Sequence, residues 1–216
     1  MPKCLLEINN ESIIKNQIKL LQQIGINDVI VVVGYQARKI KSHLGNNVNY
    51  IENKIFDRTN SSYSLWLARE MLKEGWLHLN GDLLFHPHIL KNFEESPLSN
   101  ALSVDTNIDP ADDGERVQVD STSRIIRMAK GLDLQLSFGR TIGMAKFDKT
   151  GASIILSHLD EVIKSGEKNR WFFSIISECL MNIPIYAVST EGYSWAEVDT
   201  IEDLTKAKNI MSETTQ

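Results

Sequence analysis

Cysteine is scarce in this chain of 216 residues: Cys4 and Cys179 stand far apart, with no C-x-x-C spacing and no histidine at ligand spacing from either. Two reduced thiols are expected, rather than a disulfide framework or a zinc site. Proline (5) and glycine (12) are spread thinly, so no linker or low-complexity tract divides the sequence. A single domain over 1–216 is expected, frayed only at 211–216. Positive charge is in deficit, since 23 basic against 28 acidic side chains leave a net charge of −5. Nucleic acid is therefore not expected as a partner. Long apolar runs are missing too: Val29 to Val33 is a handful of residues, far below the ~20 that a membrane helix needs. The start, Met1-Pro2-Lys3-Cys4-Leu5-Leu6-Glu7, lacks the charged-then-apolar layout of a signal peptide. A soluble, cytoplasmic protein without a membrane partner is the expectation; homo-oligomerisation is left open.

What the sequence does have is enough apolar residues, 42%, for a sizeable core, arranged in alternating periods. Asn10-Glu11-Ser12 supplies capping oxygens before Ile13, Ile14, Ile18, Leu21 and Ile24, which recur at helical steps until Gly25. Asp28 to Val33 is a β-branched run closed by Gly34, the pattern of a parallel strand buried on both faces. A short amphipathic helix over 37–44 leads to a strand at 48–52. The polar stretch Asp57-Arg58-Thr59-Asn60-Ser61-Ser62 then feeds a helix with Leu65, Leu67, Ala68, Met71 and Leu72 on its apolar positions. A strand at 76–79 ends in Asn80-Gly81-Asp82. This βα alternation signals a layered α/β sheet.

The middle changes character. Segments 101–105, 117–120, 125–129 and 137–147 read as short strands joined by polar turns such as Asp112-Asp113-Gly114, a mixed or antiparallel extension of the sheet. Helical patterns follow at 152–164 and 171–181, then strands around 185–188 and 195–198. A closing helix is predicted from Thr200, with Asp203 completing its cap.

Two aspartates stand out by position. Asp82 follows a strand through Asn80-Gly81, where a glycine lets a ligand approach the backbone closely; Asp199 sits where a short strand hands over to the last helix. Ligands of open α/β sheets collect beyond the carboxyl ends of strands. If both ends share one edge, the two carboxylates can hold a hard divalent cation such as Mg²⁺ with phosphate oxygens and water. Turn and cap duties are the commoner fate of aspartate and stay open here. His86-Pro87-His88 reads as a solvated helix start rather than a metal site. Trp171, Phe172, Phe173, Tyr193 and Trp195 could box a quaternary ammonium, with core packing the more ordinary use. Lys130, before Gly131, could meet a phosphate or sit exposed in a turn.

Four segments in register carry a resemblance along nearly the whole chain: Pro2-Lys3-Cys4-Leu5-Leu6-Glu7-Ile8, then Asn60-Ser61-Ser62-Tyr63-Ser64-Leu65-Trp66-Leu67-Ala68-Arg69-Glu70, then Leu79-Asn80-Gly81-Asp82, and Glu197-Val198-Asp199-Thr200-Ile201-Glu202-Asp203-Leu204. Together they resemble the nucleotidyltransferases that build NDP-activated compounds, and the second segment is most similar to the phosphocholine cytidylyltransferase branch. The resemblance implies a Rossmann-like, three-layer α/β/α (GT-A-like) fold with a mixed, mostly parallel sheet. It also implies CMP transfer from an NTP, CTP first, to a small phosphorylated alcohol such as phosphocholine, with Mg²⁺ as cofactor. A sugar-1-phosphate acceptor and a catalytically silent binding or regulatory domain are the alternatives. In the implied site Lys3 meets the phosphates, and Asn60, Ser61, Ser64 and Gly81 line the nucleotide side. Asp82 and Asp199 hold the metal, and Glu197 supports it or the acceptor; Lys130, Tyr193 and Trp195, singled out above from the residues themselves, are the further acceptor-side candidates.

Two departures from the family pattern go with it. The family's first strand and its Gly-rich, Arg-containing loop are expected before Pro2-Lys3, where Met1 stands. Without that strand, an apolar gap with unpaired backbone edges is expected in the sheet, along with weak NTP binding. At Trp171-Phe172-Phe173-Ser174-Ile175 the acidic residue that many relatives use for the acceptor is replaced.

Overall fold

A computed structural model of the chain describes residues 1–8, 10–110, 113–198 and 203. A minimal hairpin, β1 (Glu7–Ile8) and β2 (Glu11–Ser12), leads into α1 (Ile13–Gln23). The Ser12 side chain accepts from the Lys15 N–H as the predicted cap, and Gly25, at φ +87°, ends the segment. Next come β3 (Ile30–Val33), α2 (Ala37–Leu44), β4 (Asn49–Glu52), α3 (Ser61–Ala68), β5 (Gly75–Leu79), β6 (Leu83–Phe85) and α4 (Pro87–Glu95). The second half holds β7 (Ala101–Asp105), β8 (Arg116–Val119), β9 (Ile125–Ala129), β10 (Gly139–Asp148), α5 (Lys149–Lys164), α6 (Phe172–Cys179), β11 (Tyr186–Ser189) and β12 (Trp195–Glu197).

The sheet is mixed. β5 and β7 both pair antiparallel to the long β10, so they run the same way, and β11 joins β7 in parallel. β8 also pairs with β10 and carries β9 as the antiparallel extension expected of the middle segment. β3 and β4 form a separate parallel pair. Period-two alternation splits the side chains between two layers. Leu102, Val104, Ala145 and Phe147 meet α3, α5 and α6 on one face, and Ala101, Ile142 and Met144 meet α1 and α4 on the other. The result is the expected three-layer α/β/α arrangement.

Between β3 and β5 lies a cleft of about 560 Å³. Consecutive residues of both strands line it, Val29 to Val32 on one side and Gly75 to Gly81 on the other. Consecutive lining means that strand edges, not faces, look into the cleft. The carboxyl ends of the two strands meet at Cys4, which packs on the cluster holding Val33 and whose Cβ lies 4.0 Å from where a Cβ on Gly81 would stand. Two strands of one direction therefore face each other across an apolar gap, and among the described residues neither has a strand partner on that edge.

Several expectations need adjusting. Only Val33 of the β-branched run is fully buried, because that strand's inner edge opens on the cleft. Met71 is half exposed, since the helix passes into a single tight turn at Arg69–Met71. α5 starts three residues before the predicted Ala152, because the Asp148 side chain accepts from the Gly151 N–H at 2.8 Å. Cys4 and Cys179 are both free thiols, and burial raises each to a pKa of about 11. No helix among the described residues is long and apolar enough to cross a membrane. Asp199, the Thr200 cap and the tail 211–216 lie outside the described residues.

Candidate functional site

β6 and β12 pair antiparallel, placing Glu197 opposite Leu83 and Trp195 opposite Phe85. The pairing runs one step further, where the Val198 N–H donates to the Asp82 carbonyl at 3.0 Å. The end of the Asn80-Gly81-Asp82 turn and the end of β12 are thus tied together on one edge. Trp195 and Glu197, two residues apart on a strand, present their side chains to the same side.

Arg140 reaches that side from β10. Its Nη2 is 2.7 Å from Glu197 Oε2, and its guanidinium carbon lies 4.8 Å from the centre of the Trp195 ring. Gly114 packs directly against the arginine's Nε, at a distance that leaves no room for a Cβ. Opposite Arg140 on β7 stands Asp105, whose Oδ2 accepts from the Trp195 indole N–H at 2.7 Å. Asn80 holds the other Glu197 oxygen at 3.5 Å through its Nδ2, while its Oδ1 lies 3.1 Å from His78 Nε2. The amide orientation follows from the carboxylate, which can only accept, so the histidine donates. One chain of polar contacts runs from half-buried His78 through Asn80, Glu197 and Arg140 to Trp195 and Asp105.

Electrostatics follow from burial. Burial lowers the His78 pKa to about 4, keeping it a neutral donor. Glu197 lies above the ordinary carboxylate value, chiefly by burial, with the Arg140 charge opposing and the Asp82 charge adding to the rise. Asp82 and Glu197 are therefore near enough to repel each other, and a hard cation would relieve that repulsion. A Cβ on Gly81 would meet nothing within 4 Å except Cys4, so the turn leaves open space beside Asp82. Among the described residues no cluster of three or more His, Cys, Asp or Glu forms a ready metal cage.

The other residues singled out in the sequence fall in several places. Lys3 is exposed at the start of the turn Lys3–Leu5, which packs on α1. Asn60 caps α3, its Oδ1 accepting from the Ser61 N–H at 2.8 Å. Ser61, Ser64 and Gly81 line the cleft between β3 and β5. Both hydroxyls are also engaged structurally: Ser61 Oγ accepts from the Phe172 N–H and Ser64 Oγ from Asn53 Nδ2. Lys130 stands in the turn just after the edge strand β9, its ammonium 5.7 Å from the exposed Trp171 ring.

The five aromatics do not converge on one box. Phe172 and Phe173 are core, Trp171 is exposed, and Tyr193 stacks on His86 and His88 with ring centres 4.7 and 5.0 Å away. His86 caps α4 and Pro87 takes its first turn, as expected of a helix start. Arg140, Asp105 and His78 were not singled out in the sequence. A lone arginine inside the apolar strand 139–148 was the available signal for the first.

No protein-family profile matches the chain. It is 26% identical over 218 residues to the choline-phosphate cytidylyltransferase of Streptococcus pneumoniae, covering 97% of this chain and 89% of that one. Among solved structures, it is similar to the CTP:phosphocholine cytidylyltransferase from Streptococcus pneumoniae, with a TM-score of 0.83, 23% identity, and coverage of 98% and 90%. It is also similar to the inositol-1-phosphate CTP transferase from T. maritima, at a TM-score of 0.81 and 21% identity, covering 100% and 88%. The homologues and fold neighbours are thus nucleotidyltransferases. The architecture is theirs, and the chain agrees with an enzyme of this type.

Proposed function

We propose that the chain is a cytidylyltransferase that passes CMP from CTP to a small phosphorylated alcohol and releases pyrophosphate. The observation that carries this reading is the tie between Val198 and Asp82, which brings Asp82 and Glu197 to one sheet edge in a chain whose homologues are cytidylyltransferases. In the reaction an acceptor phosphate oxygen attacks the α-phosphorus of CTP, a new P–O bond forms, and the bond to the bridging oxygen breaks. The bridging electrons leave with pyrophosphate. The nucleophile is already anionic, so no general base is needed, and alignment with charge neutralisation is what the protein supplies.

Asp82 suits a hard cation, having a second carboxylate beside it and open space over Gly81; Asp199 is its proposed companion. Mg²⁺ held there would neutralise phosphate oxygens and orient the leaving group. Lys3 is proposed to meet the phosphates, with Asn60, Ser61, Ser64 and Gly81 on the nucleotide side. Glu197, fixed by Arg140 and Asn80, is proposed to accept hydrogen bonds from the acceptor, which Lys130, Tyr193 and Trp195 were expected to face. The stacking of Lys130 on Trp171 and of Tyr193 on two histidines gives those two residues other partners.

A pyrophosphate-release assay over the four NTPs and a panel of phosphorylated alcohols and sugar 1-phosphates tests the proposal. Release that requires CTP and an alcohol phosphate supports it; preference for a sugar 1-phosphate moves the acceptor class. A second reading, a silent binding domain of the same fold, is favoured by the open cleft beside Ser61 and Ser64. Calorimetry showing no heat with CTP and Mg²⁺, but a response to a phosphorylated acceptor, would establish it.

A further inference from the structure

We infer that Arg140 determines acceptor specificity by occupying the Trp195 ring face with its own cation, so that the site takes a phosphorylated alcohol with an uncharged, hydroxyl-bearing tail and rejects one ending in a quaternary ammonium. The inference rests on the cytidylyl-transfer reading for the word acceptor, and on side-chain geometry for the rest.

An indole ring is the strongest side-chain platform for a cation, through its electron-rich face. On Trp195 that platform is already used. The ring packs against the core cluster of Leu83 and Phe85, and the Arg140 guanidinium carbon sits 4.8 Å from its centre. The ring cannot swing away, because the Asp105 carboxylate anchors its N–H at 2.7 Å. Nor is the arginine loosely placed. It is paired with Glu197 at 2.7 Å, lies across from Asp105 in the strand register, and is seated against a glycine at 114 where a larger residue would collide with it.

A trimethylammonium group entering here would have to displace one cation from the ring or lie beside it, and would meet a carboxylate whose charge Arg140 already balances. Both costs fall on cationic tails alone. A hydroxyl tail meets a different surface. The Arg140–Glu197 pair is neutral as a unit, keeps 18% and 29% of its two side chains exposed, and carries carboxylate oxygens that accept from a hydroxyl.

Tetramethylammonium chloride is a probe that needs neither phosphate nor nucleotide. In saturation-transfer NMR the wild-type chain should give its methyl protons no signal. Arg140→Ala should produce one, and adding Trp195→Ala should abolish it. Arg140→Gln replaces Arg140→Ala if circular dichroism shows that the alanine variant is unfolded. A wild-type signal that Trp195→Ala removes, or no signal from the folded Arg140 variant, overturns the inference.

The turnover arm compares glycerol 3-phosphate with phosphocholine. Wild type should favour the former by about 30-fold in kcat/KM, the scale of one desolvated cation–π contact, and the Arg140 variant should narrow the ratio to a few-fold. Equal or better use of phosphocholine by wild type overturns the inference. Absence of turnover with every acceptor, alongside the expected probe result, sinks the cytidylyl-transfer reading and leaves the role of Arg140 on Trp195 standing.

Discussion

The main-chain N–H of Val198 donates to the carbonyl of Asp82 at 3.0 Å, joining two segments more than a hundred residues apart. The bond uses backbone atoms only, so it does not itself depend on the Asp82 side chain. Asp82→Asn keeps the size and the backbone while removing the charge. Turnover in the pyrophosphate-release assay should fall at least ~100-fold, the cost of losing one oriented electrostatic partner. The unfolding free energy should move by less than about 0.5 kcal/mol. Retained turnover with a large loss of stability would show that the residue serves the turn rather than a cation.

His78 makes stability depend on pH. Burial lowers its pKa in the folded chain to about 4, against about 6.5 when unfolded. Between those values the unfolded chain binds the extra proton, so stability is full above pH 6.5 and is lost as the pH falls toward 4. The total is of order 3 kcal/mol. Urea unfolding at pH 7 and pH 5 should show the decline, and His78→Gln should flatten it. An unchanged slope in the variant would place the acid sensitivity elsewhere.

Gly143 sits at φ +78°, where the pairing of β10 with β7 shifts register between Thr141 and Ala145. A Cβ there would stand 2.5 Å from Asn80 Nδ2, and Asn80 holds Glu197 together with Arg140. Gly143→Ala combines backbone strain with a collision, so a loss of about 1–3 kcal/mol is expected. The displaced Asn80 should also raise the KM for the acceptor more than that for CTP. Unchanged stability would show that the register shift accommodates the methyl group.

How far the sequence revealed this arrangement depends on how local each contact is. The cap at Ser12, the helix start at His86-Pro87 and strand β9 rest on neighbours a few residues apart, and periodicity exposes such features. Asp148 was missed as a cap because the apolar period of α5 begins only at Ala152, after the helix has turned once. Asp82 and Glu197 stood in motifs that the four-segment resemblance picked out. Arg140 stood in none. Its meaning comes from facing Asp105 across β7 and Glu197 from β12, and sheet register between distant segments is invisible to a local pattern. The β-branched run before Gly34 looked like a strand buried all round. Its composition does suit an interior strand, yet its inner edge faces the cleft.

That edge should be visible to amide exchange. β7 lies between β10 and β11 and is hydrogen-bonded on both sides, so its amides should open only with global unfolding. On β3 and β5, alternate N–H groups point into the cleft. Those alternate amides should exchange at least ~100-fold faster than their neighbours on the same strands in a residue-resolved measurement. Uniform protection along Ile30–Val33 and Gly75–Leu79 would show that another polypeptide segment covers the edges in solution.

Ser61 separates a structural role from a nucleotide-binding one. α6 begins at Phe172 behind Trp171, whose side chain provides no cap, so the first-turn N–H groups need acceptors from elsewhere. Ser61 Oγ supplies one, accepting from the Phe172 N–H at 2.9 Å and thereby pinning the start of α6 to the start of α3. Ser61→Ala removes the acceptor, and the Phe172 N–H is left facing a methyl group. A loss of about 1 kcal/mol, with 2 as the upper end, is expected in urea unfolding. α6 carries Phe172 and Phe173 into the core beside His78, so the loosening should also reach the histidine and weaken its pH dependence. If Ser61→Ala instead leaves stability and its pH profile unchanged while raising the KM for CTP, the hydroxyl belongs to the nucleotide, and the cap it provides in this structure is incidental.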